Sequence, residues 1–143
     1  MEPWHEKALE MFPELASRFD ADGSPYSLWL DLREAFEEAY DKTPPDESLI
    51  KRIYRYSDWC CEQPRGLSAE DDLLTCVSVS LYEHIPQHAR ARQDMPRWWE
   101  SKDLDDGPDG TPNIFRYHLN AEQFEELRQF LDREKDRYDP GLW

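Results

Sequence analysis

Residues 24–41 read SPYSLWLDLREAFEEAYD, and this stretch decides the fold class. Trp29, Leu32, Phe36 and then Ala39 or Tyr40 recur with the period of a helix that buries one face. Ser24 suits the N-cap, since its hydroxyl can accept a first-turn amide. Pro25 suits the first helical position, where a missing N–H leaves no hydrogen bond unmade. The same period sets Asp31, Glu34, Glu38 and Asp41 in one acidic stripe, with Glu37 beside it. Like charges one turn apart oppose a helix by roughly 0.2–0.5 kcal/mol per pair. Only Arg33 and Lys42 stand on or beside this segment to offset them.

Helical signals continue outward in both directions. Upstream, Trp4, Ala8, Met11, Phe12, Leu15 and Phe19 keep helical spacing. Pro13 interrupts them and predicts a kink or two short helices, followed by a turn over 20–23. Downstream, Thr43 reads as the cap of a third helix, with Asp46 three residues on in the manner of a capping box. Its stripe is Leu49, Ile50, Ile53, Tyr54, Ser57, Cys60 and Cys61, and residues 63–66 (QPRG) end it. Ser68 reads as the cap of a fourth helix through Leu73, Leu74, Val77, Leu81 and His84. Residues 75–82 also alternate like a strand, but acids in the first turn (Glu70, Asp71 and Asp72) favour the helix dipole. Pro86 and Pro96 begin shorter pieces, and 101–112 is a surface loop rich in Gly, Pro and Asp. Asn120 and Gln123 form a capping box for the last helix, whose inward residues are Phe124, Leu127, Phe130 and Leu131.

The expectation is a mainly all-α fold: one domain over 1–143, a bundle of five to seven helices, with a short strand pair near 113–119 as its one departure. Trp29, Leu32, Phe36, Leu49, Ile53, Leu73, Val77, Leu81, Phe124, Leu127 and Leu131 are the predicted core.

The chain has 143 residues, with 17 basic against 32 acidic side chains and a formal charge of −15. Residues 1–50 hold 13 of the acids and only 4 of the bases. Such a field repels nucleic-acid backbones and anionic lipid heads and attracts basic partners, so neither nucleic acid nor membrane is expected as a partner. The aromatic content of 13% argues against a disordered acidic tail. Cys60, Cys61 and Cys76 are odd in number and two are adjacent, which is no disulfide framework and suits a reducing compartment. Residues 1–6 (MEPWHE) lack the basic and apolar regions of a signal peptide, and no apolar run reaches the ~18–20 residues of a membrane span. A cytoplasmic location is the consistent expectation.

Two segments suggest a protein interface. One is the acidic stripe of Asp31, Glu34, Glu38 and Asp41, which reads either as a solvated outer face or as a surface for a basic protein. The other is Arg90, Arg92 and then Arg97-Trp98-Trp99, residue types that dominate interface energetics. Its plainer reading makes one Trp core and pairs the Arg residues with nearby acids.

Metal signals are weak. Cys60, Cys61, Cys76, His84 and His88 are the clustered nitrogen and sulfur ligands, but the spacing is not that of a zinc site, and Pro86 separates the two His. Asp105 and Asp109 lie in an Asp-rich loop with Asp103 and Asp106, but the calcium-loop pattern fails, because Gly107 and Arg116 fall where ligands belong. No phosphate loop, nucleophile elbow or dinucleotide fingerprint occurs, so no catalytic residue and no cofactor is assigned.

Residues 81–86 (LYEHIP), followed by 95–99 (MPRWW), resemble a family of small, acidic, uncharacterised bacterial proteins that is itself similar to the immunity proteins of toxin systems. The resemblance spans about residues 24–100 and implies a bacterial cytoplasmic protein without catalysis; it assigns no residue a role. The leading expectation is therefore an acidic protein-interaction module, in its sharpest form an immunity-like inhibitor of a basic partner. In that form the four acids supply the field, and Trp98 or Trp99 supplies an apolar anchor. The rivals are a metal-binding protein or enzyme using His84, His88 and the Cys residues, and a structural homo-oligomer built through the Arg-Trp-Trp segment.

Overall fold

A computed structural model describes residues 2–137; Met1 and residues 138–143, the two ends of the expected 1–143 domain, lie outside the described residues. The fold is all-α. Its α-helices are α1 (Pro3–Met11), α2 (Pro25–Asp41), α3 (Glu47–Cys61), α4 (Leu73–Ser80), α5 (Ala89–Gln93) and α6 (Ala121–Glu134). Tighter 3-10 turns cover Pro13–Arg18, Tyr82–Gln87, Met95–Arg97, Ser101–Leu104 and Ile114–Arg116. The chain divides into two compact units, Met1–Leu81 and Tyr82–Trp143. All eleven predicted core residues are buried.

The first unit packs α2 against α3 and α4, with α1 against α3. Helix α2 starts as read: the Ser24 hydroxyl accepts the Ser27 amide at 3.2 Å, and Pro25 stands at the first position. Pro13 ends α1 and turns the chain into the Pro13–Arg18 3-10 turn. Arg52 of α3 holds that turn, donating to both carboxylate oxygens of Glu14 (2.6 and 3.0 Å) and to the Met11 carbonyl (2.9 Å). An aromatic core forms around Tyr56, stacked on Trp29 at 5.4 Å and edge-on to Phe12 at 5.7 Å. Such ring pairs add about 0.5–1.5 kcal/mol beyond their burial. The Tyr56 hydroxyl donates to the Trp4 carbonyl at 2.6 Å and so ties α1 to α3.

Two helix starts differ from expectation. Asp46, not Thr43, caps α3 by accepting the Leu49 amide. A residue preceding proline is pushed out of helical geometry, and Thr43 and Pro44 both precede one. Helix α4 begins at Leu73 rather than after Ser68, whose hydroxyl bonds the Asp71 carboxylate instead. It also ends sooner: the Leu81 amide closes on Val77, and His84 belongs to the following 3-10 turn.

The second unit buries Ile85, Met95, Leu104, Phe115, Phe124, Leu127 and Leu131. Its longest element, α6, has the predicted capping box, with reciprocal Asn120 and Gln123 bonds of 2.8 and 2.9 Å. Phe130 is only half-buried. No strand occurs near 113–119; Ile114–Arg116 is a 3-10 turn whose start is capped by Asn113. The Asn113 amide also donates to the Asp103 carbonyl at 2.7 Å, a non-local bond that closes the turn. The 101–112 loop is likewise not all loop. Ser101–Leu104 is a 3-10 turn that buries Leu104, and Arg128 of α6 donates to the Ser101 and Leu104 carbonyls. No helix among the described residues is long and apolar enough to cross a membrane.

Candidate partner-binding surface

Helix α2 buries Leu28, Trp29, Leu32, Ala35, Phe36, Ala39 and Tyr40, so the opposite side faces outward. Glu34, Glu38 and Asp41 are exposed there and Asp31 is half-buried. Burial, and then the neighbouring Glu34 charge, push the Asp31 carboxyl above its ordinary range. The stripe is partly offset within the unit. Arg18 reaches Glu38 at 2.9 Å, and Arg33 reaches Glu37 at 3.3 Å. Both are surface pairs, a class whose contribution is about 0–1 kcal/mol. Lys42 reaches Asp46 at 3.8 Å rather than lying on the stripe.

The outward side also holds two apolar residues that the sequence reading passed over. Tyr26 is 39% exposed and Leu30 is 43% exposed. They stand eight and four residues before Glu34, respectively, so the three share one row along the helix. That row was readable from spacing alone. Exposed Val79 and Tyr26 also line a hollow of about 220 Å³ with Ala69, Glu70 and Thr75. Exposed apolar side chains next to charged ones are the kind of surface from which protein interfaces are built.

The Arg-Trp-Trp segment packs within the second unit. Trp99 sits edge-on to Tyr82 at 4.9 Å and to Phe115 at 5.2 Å. Arg97 is 15% exposed and lies 3.5 Å from Asp94, while Trp98 is half-buried. Trp99, like Trp98, is half-buried, so each indole keeps part of its surface open to solvent.

The weak metal candidates fall in different parts of the chain. Cys60, Cys61 and Cys76 belong to the first unit, and His84 and His88 to the second. Burial pushes the Cys60 thiol up to about 12 and the Cys76 thiol up to about 11. His88 caps α5 by accepting the Ala91 amide. His84 instead stacks on His118 at 4.7 Å. Gln87 lies 3.0 Å from the His84 Nδ1, and Glu83 lies 3.0 Å from the His118 Nε2. In the Asp-rich loop, Asp105 takes Arg128, Asp106 takes Arg116 and the Asn113 amide, and Asp109 takes Thr111. Among the described residues, no three His, Cys, Asp or Glu side chains are grouped to hold a metal ion.

No family model, no curated protein and no solved structure matches this chain.

Proposed function

We propose that the chain is a non-catalytic, acidic protein-interaction module that docks a basic partner through the outer face of α2. The observation that carries this reading is the exposure of Tyr26 and Leu30 in the same row as Glu34, flanked by Asp31, Glu38 and Asp41. The acids supply a field that speeds encounter with a basic surface, and the two apolar side chains supply contact area once docked. An immunity-like inhibitor of a bacterial toxin, acting in the cytoplasm, is the sharpest form of this function.

The test is capture from lysate at low salt, with the wild type beside a variant carrying Asp31→Asn, Glu34→Gln, Glu38→Gln and Asp41→Asn. The expected result is a stoichiometric basic protein, bound less tightly as salt rises and lost with the variant. Tyr26→Ala with Leu30→Ala should also weaken capture, chiefly by faster dissociation. Binding indifferent both to salt and to the four neutralised acids overturns the reading.

A further inference from the structure

A groove of about 600 Å³ opens in the first unit at the starts of α1 and α2 and the end of α3. Its volume falls within the roughly 300–1,000 Å³ of sites that enclose small molecules. Two indoles wall it, those of Trp4 and Trp59. Each has one partner ring already: Trp4 stacks on His5 at 5.3 Å, and Trp59 stacks on Tyr56 at 5.8 Å. These contacts hold both indoles in place without any ligand. Three carboxylates, Glu2, Asp22 and Asp71, also line the groove, and among the described residues no basic side chain does.

The helix ends bear on the sign of the ligand. Pro3, Pro25 and Leu73 line the groove and are the first residues of α1, α2 and α4. Each helix start carries roughly half a positive charge, which by itself favours an anion. However, proline opens two of the three helices and has no N–H to offer. On α2 the Ser27 amide is already given to the Ser24 hydroxyl. Three whole negative charges therefore outweigh three fractional positive ones. A cation is favoured, and the indole faces narrow its chemistry. A guanidinium is planar, stacks on indole, and offers forked donors to carboxylates.

We infer that the groove receives an arginine side chain of the basic partner. The inference rests on the docking reading above for its partner, but on separate residues for its site. The guanidinium lies against Trp4 or Trp59 while its N–H groups donate to the carboxylates of Asp22, Asp71 or Glu2.

The test uses the whole protein, ¹⁵N-labelled, titrated with N-acetyl-arginine amide, its lysine counterpart and the neutral isostere N-acetyl-citrulline amide. The arginine probe is expected to shift the Trp4 and Trp59 indole N–H signals saturably. The citrulline probe should leave them in place, and the lysine probe should bind more weakly. Asp22→Asn and Asp71→Asn, each at the surface, should each weaken the arginine probe roughly two- to fivefold. Trp59→Phe keeps a ring on Tyr56 and should weaken it further with the fold retained. Equal shifts with citrulline, equal affinity for lysine, or unmoved Trp4 and Trp59 signals would each overturn the assignment. If the arginine probe fails while the four-acid variant of α2 still loses its partner, the groove assignment alone falls. If the probe binds while that variant keeps its partner, the groove stands and the α2 reading falls.

Discussion

Asp72 binds Arg65 through both its carboxylate oxygens. Arg65 Nε lies 2.9 and 3.0 Å from them, and Nη2 lies 2.7 Å from Oδ2. The same carboxylate accepts the Gly66 amide at 3.0 Å and the Thr75 hydroxyl at 2.5 Å. Asp72 is buried, although the Arg65 side chain is largely exposed. One side chain thereby fixes the chain reversal after α3 and the start of α4.

Replacing Asp72 with Asn keeps the shape but removes the charge and one acceptor. The expected loss in stability at neutral pH is about 1–3 kcal/mol, read by denaturant unfolding. The Arg65 fork holds the Asp72 carboxyl below the usual carboxylate range, helped by the Thr75 and Gly66 bonds. A lowered folded value means that the stabilisation is present above the unfolded value, ~3.9, and is lost as pH falls through the folded one. The gap between wild type and Asp72→Asn should therefore narrow below about pH 4. A gap that stays constant from pH 7 to pH 2 would show that the charge contributes nothing.

Gly66 faces backbone where other residues carry a side chain. A Cβ there would stand 2.5 Å from the Asp71 carbonyl oxygen and 2.7 Å from the Asp72 nitrogen. Neither atom can step aside without moving the start of α4. Gly66→Ala should destabilise by about 1–3 kcal/mol, the range of an overpacked site. An alanine variant with an unchanged unfolding midpoint would contradict that close approach.

The same reversal shows where sequence reading stops. Helix α2 was legible because its evidence is local: Ser24, Pro25 and an apolar stripe within 18 residues. The start of α4 was not, because Ser68 is a sound cap by local rules, and what sets the start is Asp72 engaged with Arg65 seven residues earlier. The turn at Ile114–Arg116 escaped for the same reason, since Asn113 bonds back to Asp103 across ten residues. The acidic half of the α2 face was read from spacing, and the apolar half was legible but unread. The groove could not have been read at all. Trp4, Asp22, Trp59 and Asp71 meet only through folding, and none of them carries a motif.

The cysteines should sort by accessibility. Cys60 and Cys76 are buried with raised thiol values, and Cys61 is only half-buried. The thiolate is the reactive form, so a native protein at pH 8 should be alkylated first at Cys61. Cys60 and Cys76 should label only after unfolding, as mapped by peptide mass. Labelling of Cys60 as fast as Cys61 would mean that the core around Tyr56 opens readily.

Asp31 separates stability from binding. Its carboxyl is raised by burial and by Glu34, so its ionised form is unfavourable in the folded chain. A raised folded value gives a penalty that is fully present above that value and absent below the unfolded one. Asp31→Asn should therefore stabilise at neutral pH by about 0.2–0.5 kcal/mol, the scale of one relieved like-charge pair. That gain should vanish as pH falls below ~4. If the α2 face docks a basic protein, the same substitution should lower affinity and reduce its salt dependence. A residue that weakens the fold while strengthening an interaction is under a constraint other than packing. Stability measured across pH, beside affinity measured across salt, distinguishes the cases. Both effects together support a docking role for the acidic stripe. A gain in stability with no change in affinity leaves Asp31 as surface charge alone.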